Sequence, residues 1–397
     1  MTQVRPESDV DLFSEELADD PFATYQQLRD QAGAVYMRQH DFWALTRYDD
    51  VREAAADWRT FTSAEGAALL PEFNALQVGT VLASDPPGHD VLRAVLTDQL
   101  GPRAINRMHR EIRRQADELV ASVVSLGTFD AVTQLAQRMP VEVVADLIGL
   151  PKEGRDVLLP GADAFFATFG PLTPTMQERM PFIQSFVGWM ETVAVREHLA
   201  PGSWGAAIFA AVDQGRIGAE SALPLISAFL VAGMDTTVNG IGSLIRVLAD
   251  QPEVFAQLRD SPNLIGAAFE EALRLESPVQ IFFRETTREV DISGTIVPAK
   301  SRVGLHFGSA NRDERHYPDP DRFDVHRNAL DHMAFGYGTH SCAGQGLARL
   351  EAHALVGALL ESVETIELAG APRRHYNPVV RGLEELPVTV RARKDHR

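Results

Sequence analysis

Apolar residues recur at three and four positions through the middle of the chain. The pattern runs over 109–126 (HREIRRQADELVASVVSL), 139–150 (MPVEVVADLIGL), 222–250 (ALPLISAFLVAGMDTTVNGIGSLIRVLAD) and 264–277 (LIGAAFEEALRLES). Each predicts a helix. The β-like pattern comes late, in 288–298 (REVDISGTIVP), 302–307 (RVGLHF) and 385–392 (ELPVTVRA), and predicts short strands. The Pro- and Asp-rich stretch 317–327 (YPDPDRFDVHR) reads as an ordered loop. There is no repeat, low-complexity tract or linker, so the expectation is one mainly α domain with small β-sheets.

Composition narrows the function. With 397 residues, 45% hydrophobic and 23% charged, the chain can bury a large core. A formal charge of −18 argues against nucleic acid or an anionic membrane surface as the main partner. One cysteine rules out an internal disulfide and fits a reducing compartment. The N-terminus, MTQVRPESDVDLF, has no basic region followed by an apolar core. The longest apolar runs, such as LISAFLVAGM, are short for a bilayer span. A soluble, cytoplasmic protein is expected. None of the three lysines (Lys152, Lys300, Lys394) lies in a GxxxxGK[ST] context, and HExxH and GxSxG are absent. P-loop, zinc-protease and serine-hydrolase chemistry drop out.

The single cysteine, Cys342, sits in FGYGTHSCAGQG (335–346), just ahead of a helix-like segment. A lone cysteine is commonly a small buried hydrophobe. GYGTHS lacks the third glycine of a dinucleotide fingerprint. His332 and His340 are near, but no second cysteine completes a zinc spacing. A thiolate ligand to haem iron needs close backbone approach, N–H donors at sulfur and a cover against water. Gly338 and Gly344 permit a tight turn and close approach. The N–H groups of Gly344 and Gln345 open the next helix and can aim at sulfur, and Phe335 can shield it.

The pattern Phe335–x–x–Gly338–x–x–x–Cys342–x–Gly344 resembles the haem-binding signature of the cytochrome P450 superfamily. Further matches follow the family's order. AGMDTT (232–237) resembles the motif of the oxygen-activating helix, with Gly233 at a bend, Asp235 as a titratable carboxylate and the Thr236 hydroxyl able to bond the Ala232 carbonyl. Glu271–Ala–Leu–Arg274 resembles the ExxR pair, and PDRFDVHR supplies Arg322, or alternatively Arg327, as third member of a buried network. His89–x–x–x–Arg93, Arg284 and His340 resemble the family's haem-propionate partners. The resemblance covers about residues 20–392, leaving about 1–19 as an N-terminal extension of a single domain spanning 1–397. Ala343 and Gly346 are small departures beside the cysteine.

The resemblance implies a monooxygenase with haem b held by Cys342 and O2 as co-substrate. Asp235 and Thr236 would deliver protons. No flavin or iron–sulfur motif is present, so electrons would come from NAD(P)H through a reductase and a [2Fe–2S] ferredoxin. The basic cluster Arg103, Arg107, Arg110, Arg113 and Arg114 is the expected dock.

Substrate segments are expected at 63–84, 163–186, 228–236 and 279–284, with loops reading the substrate. Phe166, Phe169, Ala232 and Phe282 would meet a flat aromatic ring. GMDTTVNGIG, FEEALRLESPVQIFFRETTREV, GSANRD and VVRGLEELPV resemble the subgroup that oxidises para-substituted benzoates and removes O-methyl groups from aryl ethers. Where that subgroup grips a carboxylate, this chain carries Leu76, Gly79, Ser227, Ala228 and Val231. A less acidic para-substituted aromatic, hydroxylated or O-demethylated, is therefore expected. A 4-methoxybenzoate-type demethylase is the alternative. A peroxide-driven enzyme would not need Asp235–Thr236, and a haem sensor would need neither them nor an aromatic pocket.

Overall fold

The computed structural model describes residues 5–393; Lys394 lies outside them. The fold is organised around one long helix, Ala222–Asp250. Apart from its last residue, its only exposed position is Ala232. A helix apolar on most faces must be packed on most faces. Against it lie Arg138–Ile148, Leu158–Ala167, Trp204–Asp213, Ile265–Glu276 and Gln345–Ser362. Gln345–Ser362 is in turn covered by Pro102–Val124, whose Ile112, Ala116, Val120 and Val123 form a buried stripe at helical spacing. Among the described residues, the central helix is the only one long and apolar enough to cross a membrane, and 56% of its most apolar window is buried inside the protein.

The strands form a peripheral layer. A six-stranded sheet runs Glu7–Ser8, Ala34–Met37, Phe42–Leu45, Arg302–His306, Ile281–Thr286 and Phe61–Thr62 in spatial order. Ile281–Thr286 pairs antiparallel with Arg302–His306, setting Phe283 opposite Gly304. A Cβ at Gly304 would lie 2.7 Å from Ile281 Cδ1 and 3.0 Å from the Phe42 ring, so the glycine leaves room for these side chains to pack over the strand. A second sheet joins Val363–Leu368, Pro387–Ala392 and Thr128–Asp130.

The four predicted helices all form, with ends shifted by a few residues. The largest shift is at 109–126, which begins at Pro102, a residue suited to the first helical turn. The substrate segment 163–186 is mostly helix: Leu158–Ala167 and Pro174–Val193 flank a short turn. The strands at 34–45 gave no alternation because seven of their eight residues are buried on both faces. The described part of the N-terminal extension, residues 5–19, packs on the body, with Leu12 and Phe13 buried.

Candidate active site

The thiol loop is closed by the Cys342 N–H donating to the Phe335 carbonyl at 2.7 Å. The helix Gln345–Ser362 starts three residues after the cysteine, with Gly344 as its cap. The Gly344 and Gln345 N–H groups both hydrogen-bond the sulfur. Desolvation still raises the Cys342 pKa, against the pull of these donors and of Arg93 and Arg349. The sulfur is thus built to accept positive charge and lacks enough of it to ionise alone. A metal ion would supply the remainder.

The three glycines serve different ends. Gly338 has φ +71, and a Cβ there would meet the Ala55 carbonyl at 2.6 Å. Its role is to seat the loop on the helix Tyr48–Ala56. Gly344 has an ordinary helical φ of −84, and a Cβ there would stand 3.9 Å from the sulfur. Gly233 does not interrupt the central helix; a Cβ there would press on Val144 at 3.3 Å.

His89, Arg93, Arg284 and His340 converge. The His89 and His340 rings are 4.7 Å apart, and each leaves its buried Nε2 without a partner. Desolvation, then the charges of Arg284, His89 and Arg93, push His340 down to about 2. Desolvation lowers the buried Arg284 to about 10, its one hydrogen bond going to the Phe283 carbonyl at 2.6 Å. Arg93 reaches the Ser341 carbonyl at 2.6 Å, beside the cysteine. Four basic groups in one desolvated place, two with unpartnered nitrogens, suit a buried dianion. A buried thiol with two N–H donors beside them fits a haem, which Cys342 would ligate and this basic cluster would hold by its propionates.

On the central helix, the Thr236 hydroxyl donates to the Ala232 carbonyl at 2.8 Å, one turn back. Asp235 is only 5% exposed. Its Oδ1 accepts a long bond from Asn239 at 3.3 Å, and its Oδ2 has no partner. Desolvation, reinforced by the charge of Asp163, raises its pKa to about 7.

Phe166, Phe169 and Phe282 form one cluster, with ring centroids at 6.0 Å and 5.1 Å. Phe166 lies on Leu158–Ala167, which packs on the central helix, and Phe282 lies on the strand Ile281–Thr286. None of the five positions Leu76, Gly79, Ser227, Ala228 and Val231 is charged, and Leu76 is 79% exposed.

Behind the thiol loop, Arg274 forks onto Glu271 at 2.7 and 2.9 Å, both fully buried. Its Nη1 also donates to the Asn311 and Pro320 carbonyls at 2.8 Å. The third member is Arg327, whose Nε meets Glu271 Oε1 at 3.0 Å. Arg322 is corrected: its side chain is 64% exposed and pairs with Asp324, and only its backbone carbonyl faces the network. Asp319 bends the loop with φ +48, and Arg327 Nη2 donates to its carbonyl at 3.0 Å.

Two groups escaped sequence reasoning. Glu270 joins His332 at 3.1 Å to Arg349 at 2.6 Å, tying the thiol loop to its neighbouring helices. Arg349 also lies over the Phe335 ring at 4.8 Å. Asp163 joins His375 at 2.7 Å and Arg179 at 3.0 Å. No spacing signals either, because the partners are far apart in sequence.

The basic patch divides. Arg113 pairs with Asp117 and Glu361, and Arg114 with Glu111 and Glu118. Arg103, Arg107 and Arg110 are exposed and form no ion pair among the described residues. All lie on the helix that covers Gln345–Ser362.

Fold and site together fit a haem protein. Comparison with known proteins specifies which. The cytochrome P450 family model matches residues 213–380. Cytochrome p450 CYP199A2 of Rhodopseudomonas palustris is 38% identical over 389 residues, 97% of this chain and 94% of that protein. Cytochrome P450 monooxygenase PikC of Streptomyces venezuelae is 31% identical, over 97% and 95% of the two chains. The structure of CYP109Q5 from Chondromyces apiculatus superposes with a TM-score of 0.83 at 30% identity, covering 97% of this chain and 99% of that one. The chain belongs to the cytochrome P450 family and is a monooxygenase, with haem as cofactor and O2 as co-substrate.

Proposed function

We propose that this monooxygenase hydroxylates or O-demethylates a small para-substituted aromatic less acidic than a benzoate. The observation that carries the reading is the Phe166–Phe169–Phe282 cluster together with uncharged residues at 76, 79, 227, 228 and 231. Three rings at these distances offer edges and faces to a flat substrate. A carboxylate brought against these rings would lose its hydration without gaining a cation from those five positions.

In this reading Cys342 ligates the iron, and His89, Arg93, Arg284 and His340 hold the propionates. When bound, haem supplies O2 reduction and transfer of one oxygen atom to a C–H bond, with the thiolate favouring O–O cleavage. The balance is RH + O2 + 2e⁻ + 2H⁺ → ROH + H2O. Thr236 anchors its hydroxyl on the Ala232 carbonyl, and Asp235 supplies protons at its Oδ2, which no protein group shares. A carboxyl with a pKa near 7 both gives and regains a proton at neutral pH. The acid–alcohol pair favours the O2 route over a peroxide-driven one.

For O-demethylation, attack on the methyl carbon leaves a hemiacetal that releases formaldehyde and a phenol. Electrons would arrive singly from a [2Fe–2S] ferredoxin docked at Arg103, Arg107 and Arg110, itself reduced by NAD(P)H through a reductase. Reversing those three charges should slow ferredoxin-driven turnover and weaken its dependence on ionic strength.

The test is optical titration of the ferric protein with 4-methoxytoluene and, separately, 4-methoxybenzoate. A shift of the Soret band to shorter wavelength with the neutral compound is expected. A strong shift with the acid instead would overturn the substrate class and require a carboxylate anchor elsewhere.

A further inference from the structure

A cavity of about 630 Å³ lies beside the central helix, lined on its inner side by Asp235, Asn239, Asp163 and His375. It is large enough to hold several waters. The exposed Arg138, Glu142, Asp156 and Glu384 line its outer part. Arg155, also in the wall, is neutralised by Glu142 and Asp146. Asp235 thus lies in the wall of a cavity that extends to exposed residues.

His375 stands on this route and is held in place. Its Nε2 meets Asp163 Oδ1 at 2.7 Å. Asn377 donates to the same oxygen at 2.7 Å, and Arg179 pairs with the other at 3.0 Å. The His375 side chain remains 29% exposed, so one end of the pair touches water. We propose that this cavity is the path by which solvent protons reach Asp235, and that His375, oriented by Asp163, takes them up along it. The inference rests on Asp235 being the proton donor of the reaction. His375 is a positioning and proton-holding residue; it does not touch the reacting atoms. Nothing is oxidised or reduced in this step: a proton passes from water to the imidazole, then through water to the Asp235 carboxylate.

Electrostatics agree. Desolvation opposes a charged His375, but the Asp163 carboxylate outweighs it and raises the ring's pKa. His375 and Arg179 in turn draw Asp235 down, against desolvation and Asp163. These are the charged groups facing the pair from the helices Leu158–Ala167, Pro174–Val193 and Ala222–Asp250.

The test uses haem-loaded H375Q, whose amide can still donate to Asp163 but cannot titrate. The infrared C=O band of protonated Asp235, assigned by its loss in D235N, is followed against pH. In H375Q the pH at which it disappears should rise, because a positive neighbour has gone. In ferredoxin-driven turnover, product per O2 should fall at least twofold, with a larger H2O/D2O effect and unchanged substrate affinity. An unshifted band with native product yield would make His375 a structural tie and overturn the inference. Native yield in D235N would instead overturn Asp235 as donor. If H375Q does not accumulate, H375N carries the same expectations.

Discussion

Glu271 and Asp235 are both buried carboxylates, and the molecule treats them oppositely. Glu271 sits on the scaffold behind the thiol loop. Its Oε1 accepts from Arg274, Arg327 and the Asp324 N–H, and its Oε2 from Arg274. Asp235, on the central helix, has one long bond from Asn239 and an Oδ2 with none. A carboxylate surrounded by cations and donors has one stable state and serves as a fastener. One left under-satisfied, with a pKa near 7, changes state on demand. Glu271 is of the first kind and Asp235 of the second.

The strongest way to break this comparison is to strand Glu271. Arg274→Met should cost about 3–5 kcal/mol, because a buried charge loses its main partner; thermal unfolding and retained haem both report it. Next is Asp235→Asn, which should leave the fold intact and slow ferredoxin-driven product formation by about 10²-fold. It should also change the pH dependence of stability. Between its ordinary value of 3.8 and about 7, folded Asp235 keeps a proton that the unfolded chain has released. Stability from this group is therefore present at acid pH and lost as pH rises through about 7. Denaturant titrations across that window should show a flatter profile for D235N than for the native chain.

Smaller changes sharpen the scaffold half. Arg327→Leu removes a charged hydrogen bond from Glu271 and should cost about 2 kcal/mol by the same titrations. Arg322→Ala should stay within about 0.5 kcal/mol, since that side chain is exposed and touches only Asp324. Equal losses in the two variants would return Arg322 to the network.

The scaffold was half legible in sequence. Glu271 and Arg274 are three apart on a helix, and that spacing alone brings them together. The choice between Arg322 and Arg327 was not legible, because both lie in an irregular loop without periodicity. The Thr236 bond to Ala232 and the sulfur's N–H donors follow from local geometry in the same way as the Glu–Arg pair. The convergence of His89 with His340, and of Asp163 with His375, joins distant segments through packing.

What the chain determined by itself is therefore local: which segments are helices, which side chains share a helix face, and where a helix N-terminus meets the thiol. Those relations depend on bonds and dihedrals within a few residues. Tertiary structure alone decided the states of the groups. Asp235 is near neutrality because distant elements exclude water from it and set Asp163 nearby, while Glu271 is surrounded because a loop about 50 residues on folds over it. A carboxylate's charge is governed by desolvation and by neighbours within a few ångströms, and those neighbours exist only once the chain has packed.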